Sequence, residues 1–305
     1  MKSSAVVEVE GLNVRYGKVT AVDELSFEVA KGSVYALLGR NGSGKSSTVQ
    51  CLLGQRRANA GGARLFGLDA WSRRAETMER VGVVPENPDI PQETNAERLA
   101  KFMVKVTPQW RSREFFSRLE TFGVPRKRRF SRLSKGQQRQ LALALALATS
   151  PALLVLDDPT LGLDAVARRA LFEELVGDLA DRGTTVFLTT HDLSGVEGIA
   201  DRVGVLQRGK LLVDEPLEAL KARFCRLTWA ASNQVPAGKV ESRLQHLDVI
   251  KSEAVGGACE AVVGGFSEVG FGRFRREAPV EVTQVDSLSL EEIFVALCGA
   301  EGGRS

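Results

Sequence analysis

Apolar and polar residues alternate near the start of the chain. Val7, Val9, Leu12 and Val14 recur at short intervals, then Leu25, Phe27 and Val29, with Tyr16-Gly17 and Lys31-Gly32 marking turns. Near-period-two spacing broken by glycine turns predicts antiparallel strands, each burying one face. From Ser33 to Leu38 the pattern becomes an apolar run, as expected of a strand covered on both faces. A glycine-rich loop follows, and Ser46 to Leu53 then offers helix formers without a breaker.

Between Pro91 and about Arg129 the apolar positions shift to three-to-four spacing. Leu99, Phe102, Met103 and Val106 form one set, Phe115, Phe116, Leu119 and Phe122 another, with Thr107-Pro108 between them. This predicts an inserted helical subdomain. Gln137 to Thr149 is ambiguous, because Leu141, Leu143, Leu145 and Leu147 alternate with alanine in strict period two. We read it as a helix: Ala and Leu are strong helix formers, and the run is longer than most strands. Leu153 to Leu156 and Thr185 to Thr189 are then short buried strands with the amphipathic segment Ala165 to Ala180 between them, a unit of parallel sheet, and Val203 to Leu206 supplies another strand. After a helix at Pro216 to Arg223 the character changes. Phe224 to Val285 has short apolar runs and the turns Gly256-Gly257 and Gly264-Gly265, which suggests a small second domain. Ser289-Leu290-Glu291-Glu292 is a capping box opening a last helix to about Leu297, and Gly302 to Ser305 is expected to fray.

Composition bounds the possibilities. With 305 residues, 43% hydrophobic and 26% charged, the chain can bury a large core and is long enough for about two domains. A net charge of +3 is too small to mark the whole molecule as a binder of nucleic acid or membrane. The longest strictly apolar run, Leu141 to Ala148, is too short to span a bilayer, and Met1 to Glu10 has no signal-peptide core, so a soluble cytoplasmic protein is expected. Cys51, Cys225, Cys259 and Cys298 lack ligand-like spacing and are expected to be free thiols.

The strongest chemical signal is Gly39-Arg40-Asn41-Gly42-Ser43-Gly44-Lys45-Ser46, which fits G-x-x-x-x-G-K-[ST] between a predicted strand and a predicted helix. Glycines there let backbone N–H groups wrap phosphates, Lys45 reaches the β- and γ-phosphates, the Ser46 hydroxyl ligates Mg²⁺, and Ser47 continues the binding set. The strand Ala152 to Leu156 ends in Asp157-Asp158, where an open α/β sheet presents its ligand crevice. Asp157 is expected to hold the metal and Asp158 to act as base for the attacking water. Taken alone, two acids after a strand are more often a helix cap or a turn; the phosphate loop upstream favours the chemical reading.

With these motifs in hand, residues 5 to about 223 resemble the ATPase subunits of ABC transporters. Leu133-Ser134-Lys135-Gly136-Gln137 looks like the family's signature, normally Leu-Ser-Gly-Gly-Gln, with Lys135 departing from it. The resemblance implies that Ser134, Gly136 and Gln137 meet the γ-phosphate of a nucleotide held by a second ATPase subunit, either a copy of this chain or a sister chain. Leu161-Gly162-Leu163-Asp164 is similar to the D-loop, which places Asp164 at that dimer contact, and Thr189-Thr190-His191-Asp192 matches the switch histidine. Tyr16 matches the adenine-stacking aromatic, while His246 reads as an ordinary histidine. Two departures bear on rate. Asp158 stands where the family usually has Glu, and Glu86, in Val83-Val84-Pro85-Glu86, stands where it has Gln; Glu86 could meet Mg²⁺ or the water, or share the base role.

The implied fold is α/β: a phosphate-loop NTPase cassette with a mixed sheet core, an antiparallel N-terminal sheet and an inserted helical subdomain, followed by a small α+β domain. The expected division is 1–223, with the helical subdomain at about 90–150, then 224–305. The implied cofactors are ATP and Mg²⁺. The implied partner is a separate integral membrane permease, which would hold the chain peripherally on the inner face of the plasma membrane. Asp286 to Leu297 looks like the closing helix of bacterial export ATPases of this kind. The basic cluster Arg126-Lys127-Arg128-Arg129, with Arg132, reads first as a solvated face and second as a permease or lipid contact. Nucleic acid is not expected, because no aromatic residues interleave with it. Two rivals to an export ATPase are a soluble ABC ATPase acting on ribosomes or DNA, and a nucleotide-gated regulatory subunit of low turnover.

Overall fold

The computed structural model describes residues 5–193, 195–230, 247–255, 258–277 and 282–299. The readings of Gly256-Gly257, His246 and Gly302 to Ser305 lie outside them. The chain forms two compact units, Met1–Asp214 and Glu215–Ser305.

In the first unit, β1 (Ala5–Tyr16) and β2 (Val19–Ala30) pair antiparallel as the alternation predicts, burying Val7, Val9, Leu12, Val14, Leu25, Phe27 and Val29. β3 (Val34–Leu38) is wholly buried and runs through the phosphate loop into α1 (Lys45–Leu52). The pattern of apolar positions did not mark β4 (Ala60–Leu65), β5 (Leu68–Asp69), α2 (Arg74–Met78) or β6 (Val81–Val84). β4 begins Ala-Gly-Gly, which has low strand propensity. It forms because β1 and β4 come very close: a Cβ on Gly61 (φ +64°) would sit 2.0 Å from the Gly11 carbonyl oxygen.

The helical insertion consists of α3 (Ala96–Val106), capped by the Asn95 side chain, α4 (Ser112–Thr121) and α5 (Lys135–Leu147). The Ala/Leu run of α5 is helical, as composition rather than periodicity indicated. Ser134 and Gln137 form a reciprocal capping box at its start, which begins the helix two residues before Gln137. Arg126 pairs with Glu120, and Arg129 with Glu93 at 2.6 Å, so part of the basic cluster is neutralised at the surface. Next come β7 (Leu153–Asp157), α6 (Ala165–Arg182), β8 (Thr185–Thr190), β9 (Arg202–Gln207) and β10 (Lys210–Pro216), the last also unmarked in the sequence pattern.

The first unit holds a four-stranded sheet, β2-β1-β4-β5, and a six-stranded sheet, β10-β9-β3-β8-β7-β6. The run β9-β3-β8-β7-β6 is parallel, so the carboxyl ends of β3, β6, β7 and β8 share one edge. Phe27, Tyr35 and Phe187 stack with centroids 5.0–5.8 Å apart and join the two sheets in one core. At the opposite edge of the six-stranded sheet, Glu114 of α4 takes hydrogen bonds from Arg111 and from Arg182 at the end of α6. Burial alone would raise its carboxyl, but these guanidinium groups outweigh burial and hold it at about 2.

The second unit contains α7 (Leu217–Arg223), β11 (Cys225–Ala230), β12 (Val249–Val255), β13 (Ala258–Val263), α8 (Glu268–Glu277), β14 (Val282–Ser287) and α9 (Leu290–Gly299). Its sheet, β12-β13-β11-β14, is antiparallel throughout and packs Leu227, Trp229, Leu247 and Val263 into a core of its own. Ser289 and Glu292 close the expected capping box on α9. All four cysteines are free thiols.

Candidate nucleotide site

The loop between β3 and α1 is held in a shape that side chains resist. Gly44 has φ +114° and a Cβ there would meet the Ala21 carbonyl oxygen at 2.4 Å, so only glycine fits. Gly44 is also the N-cap of α1 and makes no side-chain cap bond, which leaves the first N–H groups of the helix available to an anion. Lys45 is buried and its Nζ donates to the carbonyl oxygens of Gly39 at 2.6 Å and Arg40 at 3.3 Å. Burial lowers its pKa, opposed by the carboxylates of Asp158, Asp157 and Glu86. Ser43 Oγ is buried and finds no hydrogen-bond partner, an uncompensated polar atom in the middle of the loop.

The carboxylates come from the neighbouring strand end. In the β7–β8 ladder Asp157 lies opposite Thr189, whose Oγ1 donates to Asp157 Oδ1 at 2.5 Å. Asp158, at φ +48°, turns out of the strand; its N–H donates to the Thr189 carbonyl oxygen at 2.9 Å. Thr190 Oγ1 donates to Asp158 Oδ1 at 3.3 Å, and His191 Nδ1 lies 2.6 Å from Asp158 Oδ2. Each acid is thus tied to the end of β8. Glu86 follows β6, and its backbone carbonyl accepts a 3.0 Å bond from Arg139 Nη2 of α5. Burial lowers the Arg139 pKa while Asp158 and Glu86 raise it, so a buried cation faces two of the cleft's acids.

Asn41, Gly42, Gly44, Lys45, Ser46, Ser47, Glu86, Asp157, Asp158 and His191 therefore line one cavity of about 480 Å³. Ser134, Gly136, Gln137 and Asp164 line a separate cavity of about 490 Å³. There Ser134 Oγ accepts from the Gln137 N–H at 3.2 Å, and Asp164 caps α6 by accepting from the Ala167 N–H at 2.8 Å. A Cβ on Gly136 would meet nothing closer than 3.5 Å, so no close contact within the unit demands glycine at that position. Tyr16 reaches α1 through its hydroxyl, which lies 3.3 Å from Ser47 Oγ and 3.1 Å from Gln50 Oε1. Arg139 and the orienting hydroxyls of Thr189 and Thr190 were not singled out from the sequence. The threonines could have been found from their position immediately before His191 on the strand expected to neighbour Asp157.

The donor set suits a hard divalent cation: a hydroxyl from Ser46 and carboxylates from Asp157 and Glu86 on one wall, beside a loop built for phosphates. Among the described residues no cluster of His, Cys, Asp and Glu forms an all-protein metal cage, as is usual for an ion shared with phosphate oxygens.

The family model for "ABC transporter" matches residues 22–161. The bacitracin transport ATP-binding protein BcrA of Bacillus licheniformis is 30% identical over 97% of this chain and 98% of its own length. The Nod factor export ATP-binding protein I of Paraburkholderia xenovorans is 37% identical, covering 72% of this chain and 73% of that protein. Among solved structures, cbiO1 from Clostridium perfringens superposes with a TM-score of 0.62 at 24% identity, over 72% of this chain and 91% of that one. An ATP-binding subunit of an ABC transporter gives 0.64 at 24% identity, over 72% and 92%. At these identities the structures attest the cassette fold.

Proposed function

The chain belongs to the family of ABC transporter ATP-binding subunits, and from that premise we propose that it hydrolyses ATP to drive export through a separately encoded permease. The observation that carries the proposal is the convergence of phosphate loop, Asp157, Asp158, Glu86 and His191 on one cleft. Backbone N–H groups of the loop and Lys45 hold the β- and γ-phosphates, exchanging the bonds Lys45 makes to Gly39 and Arg40 for phosphate oxygens. Mg²⁺ would be held by Ser46 and Asp157, with Glu86 the further carboxylate of that wall, and would supply neutralisation of the charge on the phosphoryl oxygens.

Asp158 accepts the proton as water attacks the γ-phosphorus in line with the departing ADP oxygen. With Nδ1–H of His191 given to Asp158, the neutral ring keeps a lone pair on Nε2. That atom suits acceptance from the water. A bond from Nε2 to a phosphate oxygen would require the ring to carry its second proton. An Asp in the base position reaches roughly 1 Å less than a Glu, and a misplacement of that size costs about 10²-fold, so turnover is slow.

The segregation of Ser134, Gly136, Gln137 and Asp164 in a second cavity supports completion of each site by another ATPase subunit. Pro85, Glu86, Asn87, Ile90, Met103 and Leu145 line a third cavity, of about 650 Å³, which shares Ser46, Glu86 and Asp157 with the nucleotide cleft; we assign its Asn87, Ile90 and Met103 side to the permease. No described helix is long and apolar enough to cross a membrane, so the membrane-spanning part belongs to that partner. On this reading residues 224–305 are an accessory domain, and the chain sits at the inner face of the plasma membrane through its permease.

Steady-state phosphate release from the chain copurified with its membrane partner tests the proposal. ATP-dependent release that Lys45→Ala abolishes is expected; zero turnover in the complete complex would end the enzyme reading.

A further inference from the structure

Tyr16 ends β1 with 44% of its surface exposed, and only one face of its ring is accounted for. The Arg56 guanidinium carbon stands 3.8 Å from the ring centroid. Arg56 Nη2 donates to the Arg15 carbonyl oxygen at 2.7 Å, its Nε is buried without a hydrogen-bond partner, and no carboxylate pairs with it among the described residues. A buried donor is left unsatisfied in this arrangement, so salt bridging does not explain it; the guanidinium is placed by its bond to the Arg15 carbonyl together with its stacking on the ring.

The backbone explains how Arg56 reaches the ring. After α1 the chain reverses at Gly54 (φ +58°), and the N–H groups of Gln55 and Arg56 both bond to the Gln50 carbonyl oxygen, at 2.8 and 3.1 Å. It then runs beside β1, with Asn59 N–H bonded to the Asn13 carbonyl oxygen and Arg15 N–H to Asn59 Oδ1. Arg56 therefore approaches Tyr16 from the β4 edge of β1. The other edge of β1 pairs with β2, whose Ala21 lines the nucleotide cleft. Ser47, whose hydroxyl lies 3.3 Å from that of Tyr16, lines the same cleft.

We infer that Arg56 is a positioning residue for the adenine of ATP. It backs Tyr16 with a cation, fixing the ring so that its open face is presented to the base. This rests on the reading of Tyr16 as the adenine-stacking residue. The physics is additive on both faces. A guanidinium draws the electron density of the phenol ring toward itself, so the opposite face meets the electron-rich purine with less repulsion. The Tyr16 hydroxyl is tethered to Ser47, the residue after Ser46, so the ring and the phosphate loop are held in one frame. The base is then placed by the same segment, residues 45–56, that holds the phosphates.

The test measures affinities of the full chain for a non-hydrolysable ATP analogue and for inorganic tripolyphosphate, by calorimetry. Arg56→Ala is expected to weaken the ATP analogue about three- to fivefold and to leave tripolyphosphate unchanged, the latter also showing that the fold is intact. Arg56→Lys should recover part of the loss. Tyr16→Ala should weaken the analogue about tenfold or more, and adding Arg56→Ala to it should cost nothing further. If Tyr16→Ala weakens the analogue but Arg56→Ala does not, or if the two losses multiply, the role of Arg56 is overturned while Tyr16 stacking stands. If Tyr16→Ala leaves the analogue's affinity unchanged, the stacking reading itself is overturned, and the inference with it. Equal weakening of tripolyphosphate by Arg56→Ala would reduce Arg56 to a structural residue of the loop.

Discussion

In the six-stranded sheet five neighbouring strands run parallel and carry polar residues off their carboxyl ends into a cleft; in the second unit the four strands are antiparallel and their polar residues pair across the ladder. Arg226 of β11, for example, lies 3.5 Å from Glu260 on β13 and 2.8 Å from Glu292 on α9. Parallel strands bring every carboxyl end to one edge. Lys45 therefore meets Asp158 and His191, each more than a hundred residues further along the chain, without special loops. Antiparallel strands alternate their ends, so polar residues at successive turns fall on opposite sides and are consumed by local pairing. One region thus concentrates chemistry and the other stability.

The sharpest way to break this division is to exchange the two outcomes. Asp158→Asn should lower phosphate release by about 10²- to 10⁴-fold with little change in thermal unfolding, because it removes the base and leaves the site's shape. Leu227→Ala, at a fully buried position of the second unit, should destabilise that unit by about 2–5 kcal/mol and leave ATP affinity within about twofold. A loss of ATP affinity with Leu227→Ala would mean the regions are not separable. Within the cleft, Asp158→Glu should raise turnover, by up to about 10²-fold. Glu86→Gln should hurt more in the native background than beside Asp158→Glu if Glu86 shares the base role; simple additivity in that cycle would sink the sharing.

The smallest expected effect lies at the opposite edge of the parallel sheet. Glu114 is held at about 2 by Arg182 and Arg111, below the ordinary carboxylate value. Its contribution to stability is therefore present at neutral pH and lost as pH falls from about 4.5 toward 2. Glu114→Gln should flatten the acid end of a thermal-stability profile across that window and leave phosphate release unchanged at neutral pH. An unaltered acid slope would refute it.

The cleft was legible in the sequence because its parts are local: eight consecutive residues form the phosphate loop, and the acids and the histidine each follow a recognisable strand. The helix α5 was legible from composition although its period pointed to a strand. What escaped is long-range. The bond from Arg139 to the Glu86 carbonyl spans 53 residues, and the cation over Tyr16 comes from 40 residues away through a reversal at Gly54. No periodicity marks either pair. β4 escaped for another reason: its glycines argue against a strand until the close approach of β1 is seen to require Gly61.

The twin ties from Thr189 to Asp157 and from Thr190 to Asp158, each across 32 residues, have a consequence in time. A chain emerging from the ribosome completes its phosphate loop and both acids well before β8 arrives. Until β8 docks in register, neither carboxylate has the hydroxyl that aims it. The aiming of both acids thus comes only when β8 closes the centre of the sheet between β3 and β7.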